Sequence, residues 1–340
     1  MLEKIDALRE AIQTFRPFND SLQKTLQEQL RIEWTYNSNA IEGNTLTLGE
    51  TAFFLREGLT SEGRPLKDYL EAKNHAEAID RLNDIVQGKR SITESLIKEL
   101  HGVLMKGMDF TIARGMDGQM IHKRLHVGEY KKQPNHVLTL SGKIHEYADP
   151  IHVHDEMEAL LDWVGSETTM HPVERAARFH YRFVSIHPFD DGNGRMSRLL
   201  MNLLLTQAGY YPCIIQNAHR RKYIQTLEEA DSSQNDTTFI QFVADELLAT
   251  EQKVFDIIQG KVVALTQATT ILNSVERRER IMHVLRTADS PLAMGQMSEL
   301  LPELKRPTLK KDLQQLVRER LVSSYGKGRN MLYAVPQKKI

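Results

Sequence analysis

The chain has 340 residues, of which 41% are hydrophobic, and this is enough for two domains with buried cores. Its single cysteine, Cys213, excludes an internal disulfide and fits a reducing compartment. Residues 1–15 lack the apolar core of a signal peptide, and no apolar run approaches the ~18–20 residues that cross a bilayer. We therefore expect a soluble, cytoplasmic protein without membrane contact.

The net charge of -1 is unevenly distributed along the chain. Residues 276–340 carry 14 Lys or Arg and 7 Asp or Glu, whereas the rest of the chain carries 30 and 38. A basic C-terminal segment on an acidic body indicates a polyanionic partner, such as DNA, for that segment. A solvated charged surface explains the same composition, and the charges alone leave both interpretations open.

Most of the first 270 residues show the apolar periodicity of helices, with Gly and Pro mainly between the periodic segments. This pattern predicts helices over residues 22–36, 48–56, 69–86, 93–104, 153–164, 173–184, 198–207, 220–230, 239–248 and 251–272. Residues 137–147 depart from it, because β-rich flanks surround a glycine, and they predict a hairpin.

The C-terminal segment follows a different pattern. Helices are predicted over residues 277–286, 295–301 and 308–320, followed by strands over 321–325 and 331–335 around a glycine turn. Three helices and a basic hairpin resemble a winged helix-turn-helix. A DNA phosphate contact is plausible through the third helix and the wing tip, which carry Lys310, Lys311, Arg318, Lys327 and Arg329. Winged helices also serve as protein docking and dimerisation modules, so the fold leaves the partner open.

The most informative string is His-Pro-Phe-Asp-Asp-Gly-Asn-Gly-Arg-Met-Ser-Arg at residues 187–198, which precedes an apolar helix. Its two glycines allow successive N–H groups to point at one anion, which the positive end of the helix also faces. Arg195 and Arg198 share a helix face, so that both can reach one polyphosphate. His187 adds a possible general base. The string predicts a phosphate-handling site with its own base.

His-Pro-Phe-x-Asp-Gly-Asn-Gly-Arg-x-x-Arg is also the signature of Fic-domain proteins, which this chain resembles over approximately residues 31–248. The resemblance implies a mainly α fold, a Fic-type helical bundle with a small β-hairpin flap, here joined to the C-terminal winged helix-turn-helix. The expected divisions are an N-terminal helical segment (1–30), a Fic core (31–250), a linking helix (251–275) and a winged-helix domain (276–340). The implied activity is transfer of AMP from ATP to a Ser, Thr or Tyr hydroxyl of a protein, with release of pyrophosphate.

The resemblance also implies roles for the residues of the motif. His187 would take the proton of the target hydroxyl. Asp191 would hold Mg²⁺, an ion that binds phosphate oxygens while only one or two protein carboxylates hold it. Phe189 is expected to pack under the loop, and Asp190, at the variable position, to be a solvated carboxylate. The nucleotide is assigned to the amides of Gly192, Asn193 and Gly194, to the side chains of Arg195 and Arg198 at the phosphates, and to Tyr223 and Asp231 at the adenine. Asp231 departs from the Asn that the family pattern leads us to expect.

The predicted hairpin corresponds to the family's flap, which binds a target segment by strand addition. Its tip residues Ser141, Gly142 and Lys143 are therefore candidates for target docking, although an ordinary surface hairpin fits the same sequence. Upstream, Gly-Glu-Tyr-Lys at residues 128–131 resembles the family's Gly-x-aromatic-Arg segment. Lys131 stands where Arg is usual, which weakens any bidentate contact expected there.

A second string, Ser-Asn-Ala-Ile-Glu-Gly at residues 38–43, resembles the inhibitory pattern Ser/Thr-x-x-x-Glu-Gly/Asn. Its position indicates the class with an inhibitory helix, here around residues 31–43, on the N-terminal side of the Fic core. Glu42, with Ser38, would pair bidentately with Arg198 and withdraw it from the γ-phosphate. A helix end capped by Gly43 explains the same residues locally.

Several alternatives stay open at this stage. The same site suits de-AMPylation, with Glu42 orienting a water, or a different phosphate-bearing donor. A protein of another class, a winged-helix transcription regulator whose Fic core senses nucleotide, is the main competitor. The family resemblance suggests a homodimer, while the protein substrate is unknown, with the chain itself as one candidate. A zinc site is disfavoured because neither HExxH nor paired cysteines accompany the histidine pairs His122/His126 and His152/His154.

Overall fold

The computed structural model describes residues 1–114, 119–138, 144–260, 274–288, 290–301, 304–319, 321–326 and 331–336. The chain divides into two compact units, Met1–Thr51 with Arg64–Val262, and Ala52–Gly63 with Val263–Ile340. The first unit therefore includes the N-terminal segment that the sequence sets apart. It excludes Ala52–Gly63, which the sequence places in the core.

The predicted mainly α fold is confirmed. The helices up to residue 260 are α1 (Leu2–Gln13), α2 (Asp20–Ile41), α3 (Leu48–Glu57), α4 (Leu66–Gln87), α5 (Glu94–Leu104), α6 (Val153–Ser166), α7 (Pro172–Ile186), α8 (Asn193–Gln207), α9 (Arg220–Ser233) and α10 (Thr237–Ile258). The predicted break at residues 249–250 is wrong, because α10 is continuous there. Neither residue is Gly or Pro, and the Thr250 hydroxyl donates to the Glu246 carbonyl, so the polar side chain is satisfied inside the helix.

Helix α8 lies at the centre of the first unit. All its residues from Arg195 to Leu203 are buried, and it packs most extensively against α7, whose Phe179 and Phe183 are fully buried. A helix that is buried on every side, including its polar residues Arg195, Ser197 and Arg198, is surrounded by protein. The N-terminal end of α8, which is where the helical part of the signature begins, therefore lies inside the helical unit.

Two short antiparallel hairpins accompany the helices. Strand β1 (Phe110–Arg114) pairs with β2 (Met120–Arg124), and β3 (His136–Leu138) pairs with β4 (Ile144–Glu146). The second hairpin is the one predicted from the sequence, and its proposed docking residues Ser141, Gly142 and Lys143 lie outside the described residues. The first hairpin was not predicted, because residues such as Phe110 and Met120 are exposed and no alternation of apolar and polar positions marks it.

The C-terminal unit contains α11 (Ser274–Thr287), β5 (Leu292–Ala293), α12 (Met294–Leu300), α13 (Arg306–Arg318), β6 (Ser323–Tyr325) and β7 (Leu332–Ala334). The sheet order is β5-β7-β6, and all neighbours are antiparallel. A separate core includes Ile281, Leu309, Leu313 and Tyr333. This order of elements supports the winged helix-turn-helix, which stays a prediction, and the wing-tip residues Lys327 and Arg329 lie outside the described residues.

Within the described part of the chain, none of the helices combines the length and the apolar composition that crossing a membrane requires.

Glu251 on α10 is a fully buried carboxylate. One oxygen accepts a hydrogen bond from the Tyr211 backbone N at 2.8 Å, and the other, Oε2, has no hydrogen-bond partner among the described residues. Burial raises its pKa to about 7 from an ordinary value of 4.5. The native state therefore favours the protonated acid over the carboxylate.

Because the pKa is raised in the folded state, the stabilisation from protonated Glu251 is complete below about pH 4.5 and is lost as the pH rises through about 7. Glu251→Gln keeps an acceptor for Tyr211 and removes the ionisation. We expect the free energy of unfolding of the wild type to fall relative to that of the variant over this range, by roughly 2–3 kcal/mol. Urea unfolding of both proteins at about pH 5 and about pH 8 measures the difference. Parallel pH dependences would contradict the prediction.

Candidate active site

The motif loop, residues 187–192, connects α7 to α8. Helix α7 ends at Ile186, and His187 follows in a left-handed conformation with φ 52°, its N donating to the Phe183 carbonyl. Gly192 is also left-handed, with φ 79°, and α8 begins at the next residue. The proposed base, the proposed metal ligand and the anion-binding helix end therefore lie within one loop between two buried helices.

Asn193 closes the motif loop through its side chain. Its Oδ1 accepts from the Phe189 N at 2.9 Å, and its Nδ2 donates to the Phe189 carbonyl at 2.8 Å. Phe189 is fully buried under the loop, as expected, and stacks on the His101 ring at a centroid distance of 3.8 Å. Because the Asn193 side chain is used within the protein, only its backbone N–H is left for an anion.

His101 on α5 also supports the motif loop, and sequence reasoning did not find it. Its Nδ1 accepts from the Gly128 N at 2.9 Å, so that Nε2 carries the proton and donates to the Asp191 carbonyl at 3.0 Å. Burial lowers its pKa to about 4, and the ring is therefore neutral near pH 7. A histidine on the apolar face of α5, between Ile97 and Leu104, was the available signal.

The N-terminal end of α8 lies against a carboxylate of the same chain. A Cβ added to Gly194 would lie 2.5 Å from Glu42 Oε1 and 3.3 Å from Arg198 Nη1. Only glycine permits this approach. Glu42 therefore places negative charge at the helix end where the sequence predicts bound phosphate.

Arg198 is 2% exposed, and its guanidinium group is held by two other elements. Its Nη2 donates to Glu42 Oε1 at 2.6 Å and to the Ser38 carbonyl at 2.9 Å, and Nε donates to Ser38 Oγ at 3.1 Å. Nη1 lies 3.4 Å from the Tyr223 hydroxyl. Burial by itself lowers the pKa of Arg198, but the charges of Glu42 and Tyr223 and the hydrogen bonds to both residues together outweigh it, and the net direction is upward. The contact uses one carboxylate oxygen instead of the two that a bidentate pair requires.

The end of α2 directs Glu42 toward this arginine. Glu42 is the last residue before Gly43, which adopts φ 95°, and the N of Asn44 returns to the Asn39 carbonyl at 3.1 Å. This is a glycine-terminated helix. Residues 38–43 can therefore be both a glycine-capped helix end and an inhibitory segment. The cap at Gly43 directs the Glu42 side chain toward Arg198.

Arg195 is the second buried arginine of the site, with 4% exposure. Its Nη1 lies 3.4 Å from Glu71 Oε1, and Nη2 contacts the Met105 sulfur at 3.7 Å. Among the described residues, its Nε and Nη1 have no hydrogen-bond partner of good geometry. Buried donors in this condition suit an anionic ligand.

Asp191 is partly exposed on the motif loop, and its Oδ1 accepts from the Gly192 N at 2.6 Å. A single carboxylate beside an anion site fits Mg²⁺, which completes its coordination with waters and phosphate oxygens. No group of three or more His, Cys, Asp and Glu side chains that could hold a metal ion occurs in the described ranges. This finding concerns sites built wholly from protein ligands, such as the zinc site weighed above.

Of the two residues predicted at the adenine, Tyr223 contacts Arg198 and Asp231 contacts Tyr181. Tyr223 is 4% exposed, and its hydroxyl also contacts His180 Nε2 at 2.9 Å. Asp231 accepts from the Tyr181 hydroxyl at 3.0 Å. The structure thus gives Tyr223 a contact with Arg198, and the adenine contacts of both residues stay predictions.

The chain is similar to known proteins in sequence and in fold. Residues 91–205 match the model of the Fic/DOC family. A Fic domain containing signaling protein from Bacteroides thetaiotaomicron is 32% identical, with a TM-score of 0.68 over 76% of this chain and 97% of that one. The chain belongs to the Fic/DOC family.

Other relatives agree. Protein adenylyltransferase Fic of Drosophila erecta is 34% identical over 72% of this chain, but only 46% of that protein is covered. The chain therefore spans about half the length of the curated relatives it matches. Fic-1 (residues 134–508) from C. elegans is 26% identical, with a TM-score of 0.61 over 77% of this chain and 72% of that one.

At the variable position of the Fic signature, the prediction of a solvated carboxylate is wrong. The Asp190 side chain is 2% exposed and lies 2.8 Å from Lys123 Nζ and 2.8 Å from His126 Nδ1. Burial alone would raise its pKa, but the hydrogen bonds from Lys123 and His126 outweigh it and lower the pKa. Sequence reasoning missed this pairing because both partners belong to the unpredicted β1–β2 hairpin or directly follow it.

Gly192→Ala tests the packing of the Fic motif loop. A Cβ there would meet Met105 Sδ at 2.8 Å, while Gly209, also left-handed at φ 87°, has nothing within 4 Å. In both alanine variants the left-handed backbone lowers the unfolding free energy by about 1–2 kcal/mol. We expect Gly192→Ala to lose roughly another 1–3 kcal/mol of unfolding free energy through overpacking. Urea unfolding of the two variants measures the difference, and equal losses would show that the loop tolerates the extra group.

Proposed function

We propose that this Fic/DOC protein transfers AMP from ATP to a Ser, Thr or Tyr hydroxyl of a protein in a Mg²⁺-dependent reaction, and that Glu42 inhibits it. The observation that carries the proposal is the Glu42 carboxylate bound to Arg198 at the N-terminal end of α8. An anion-binding site is thus built at the motif, and the chain supplies its own competing anion. Relatives named protein adenylyltransferase support the reaction type.

In the proposed reaction, the hydroxyl oxygen of the target attacks the α-phosphorus of ATP. An O–P bond forms as the bond from the α-phosphorus to the bridging oxygen breaks, and pyrophosphate leaves. His187 accepts the proton of the hydroxyl, for which an imidazole is suited near neutral pH. When bound, Mg²⁺ offsets the charge of the phosphates, and Asp191 is the residue that would hold it.

The remaining residues bind and orient the nucleotide. The backbone N–H groups of Asn193 and Gly194 and the unsatisfied donors of Arg195 would bind the phosphates at the start of α8, whereas the Gly192 N–H, also assigned to the nucleotide, donates to Asp191 Oδ1 in this structure. Arg198 binds the γ-phosphate once Glu42 is displaced. Orientation of the α-phosphorus relative to His187 then depends on whether this arginine is available.

Inhibition follows from competition for Arg198. Its guanidinium group cannot donate the same N–H to Glu42 and to a phosphate. The Glu42 side chain is 38% exposed, so breaking the pair costs less than for a fully buried one, a few kcal/mol at most. A partner protein or a change in a homodimer supplies enough free energy to displace it.

Label transfer from α-³²P-ATP tests the proposal in the wild type, Glu42→Gly and Glu42→Gly/His187→Ala. We expect Glu42→Gly to raise labelling of the protein itself or of lysate proteins by about 10-fold or more, since ~1.4 kcal/mol of released pairing suffices. The second substitution should abolish labelling by removing the base, while ATP binding is retained.

Binding of ATP without labelling by any of the three proteins would contradict AMP transfer. The same site would then serve de-AMPylation, another phosphate-bearing donor or nucleotide sensing. Release of AMP from a labelled protein, dependent on Glu42, would identify the first of these.

A second function, binding of duplex DNA in the cytoplasm, is favoured by the charges of the C-terminal unit. On α11, Arg277 and Arg278 are paired with Asp312 and Glu319. On α13, by contrast, no ion-pair partner among the described residues is found for the exposed cations Arg306, Lys310, Lys311 and Arg318. Three of these cations line a groove of about 790 Å³ between α13 and the sheet, and none of the described residues that line it is a carboxylate. Uncompensated cations along one helix suit phosphates.

The salt dependence of duplex DNA binding by the full-length chain tests this second function. About four phosphate contacts predict a slope of roughly -3 to -4 in a plot of log K against log salt. Lys310→Ala/Lys311→Ala should reduce the slope by about 2, whereas Lys4→Ala/Lys24→Ala, which removes the same charge elsewhere, should not. Absence of binding at about 50 mM salt would leave the C-terminal unit as a protein docking module.

A further inference from the structure

The backbone of His187 is held in an unfavourable conformation. At φ 52° it is left-handed, which costs a residue with a Cβ about 1–2 kcal/mol. Such a conformation persists only where the surrounding structure determines it. The hydrogen bond from the His187 N to the Phe183 carbonyl ends α7 but leaves the carbonyl groups on both sides of the base to be held by other residues.

Lys131 contacts the carbonyls on both sides of His187. Its backbone N donates to the Pro188 carbonyl at 2.8 Å, and its Nζ lies 3.4 Å from the Ile186 carbonyl. Nζ also donates to Asn135 Oδ1 at 2.8 Å. The segment that follows Gly128 is therefore attached to the motif loop directly before and directly after the base.

Asn135 continues this attachment by one residue. Its Nδ2 donates to the Phe189 carbonyl at 3.0 Å, while its Oδ1 receives the Lys131 ammonium group. The side chains of Lys131 and Asn135 thus contact the carbonyl one residue before His187, that of Ile186, and the carbonyl two residues after it, that of Phe189. A rotation of the His187 backbone would break these contacts.

Tyr147 holds the imidazole itself. It directly follows β4, and its ring stacks on the His187 ring with a centroid distance of 3.7 Å and an interplanar angle of 17°. A stack of this kind fixes the plane of the imidazole, and the ring nitrogens act in that plane. The Lys131 ammonium group lies 5.8 Å from the centroid of the same tyrosine ring, within cation–π range.

The Lys131 ammonium group is buried at a cost. The residue is 3% exposed, and in the described part of the chain no carboxylate lies within ion-pair distance of Nζ. Burial lowers its pKa to about 8. A methionine of similar length would fill the space without this penalty, so packing alone does not account for the amine. The contacts of the ammonium group with the Ile186 carbonyl and the Asn135 amide oxygen, next to the base, account for it.

We infer that Lys131 and Tyr147 are positioning residues that set the backbone and the ring plane of His187. Lys131 acts through the carbonyls that flank the base, and Tyr147 acts by stacking on it. For catalysis, this inference rests on the proposed AMP transfer. The placement of the ring does not depend on that activity and is measured separately below.

Single-turnover AMP transfer tests the catalytic part in the Glu42→Gly background. We expect Lys131→Met and Tyr147→Leu each to lower kcat by about 10-fold or more, as misplacement of a base does, with KM for ATP and the thermal midpoint little changed. Lys131→Arg should recover part of the loss because it retains donors, and Tyr147→Phe should be near the parent because it retains the ring. A parental kcat for Lys131→Met, or equal losses in Tyr147→Phe and Tyr147→Leu, would overturn the inference.

NMR of the histidine side chains tests ring placement without any transferase activity. The His187 ring protons, identified by comparison with His187→Ala, should show an upfield ring-current shift in the wild type and in Tyr147→Phe. The shift should disappear in Tyr147→Leu and change in Lys131→Met. Unshifted His187 protons in the wild type, or a shift that persists in Tyr147→Leu, would overturn the inference even in a protein that transfers no AMP.

Discussion

The buried guanidinium group of Arg198 determines how the elements around the motif are arranged. A cation that is 2% exposed must have its donors satisfied, because leaving them unpaired inside the protein costs several kcal/mol. Here the acceptors come from Ser38 and Glu42 at the end of α2 and from Tyr223 on α9. In the absence of nucleotide, the same contacts that satisfy Arg198 place a carboxylate at the start of α8. The stability of this arrangement and the proposed inhibition therefore have one physical origin.

The motif loop is rigid because its backbone and its unexposed side chains are bonded to other elements. His101 holds the Asp191 carbonyl, Asn193 closes the loop on Phe189, and Asp190 is paired with the β1–β2 hairpin. A preorganised loop of this kind lowers the cost of ordering the site when ATP binds. Under the proposed function, nucleotide then has to displace Glu42, whose side chain is 38% exposed, because the bonded loop has little freedom to move.

The two compact units differ in how they use charge. In the first unit, both motif arginines are buried and face carboxylates, Glu71 for Arg195 and Glu42 for Arg198. In the C-terminal unit, α11 has its arginines in ion pairs, whereas α13 presents cations to solvent. Buried charge requires a partner of fixed geometry, while exposed charge is screened and accepts any anion of suitable spacing. The first arrangement suits one small ligand, and the second suits an extended one.

The sequence by itself determined most of the helices, the family and the residues of the motif, because helical periodicity and phosphate-binding loops are properties of consecutive residues. It also placed Glu42 opposite Arg198, since both strings are complete. Only the tertiary structure decided the partners of Asp190, the supporting roles of His101 and Lys131, and the contact of Glu42 through a single oxygen. These pairs join positions as far apart as 156 residues, and packing of separate elements, not local pattern, brings them together.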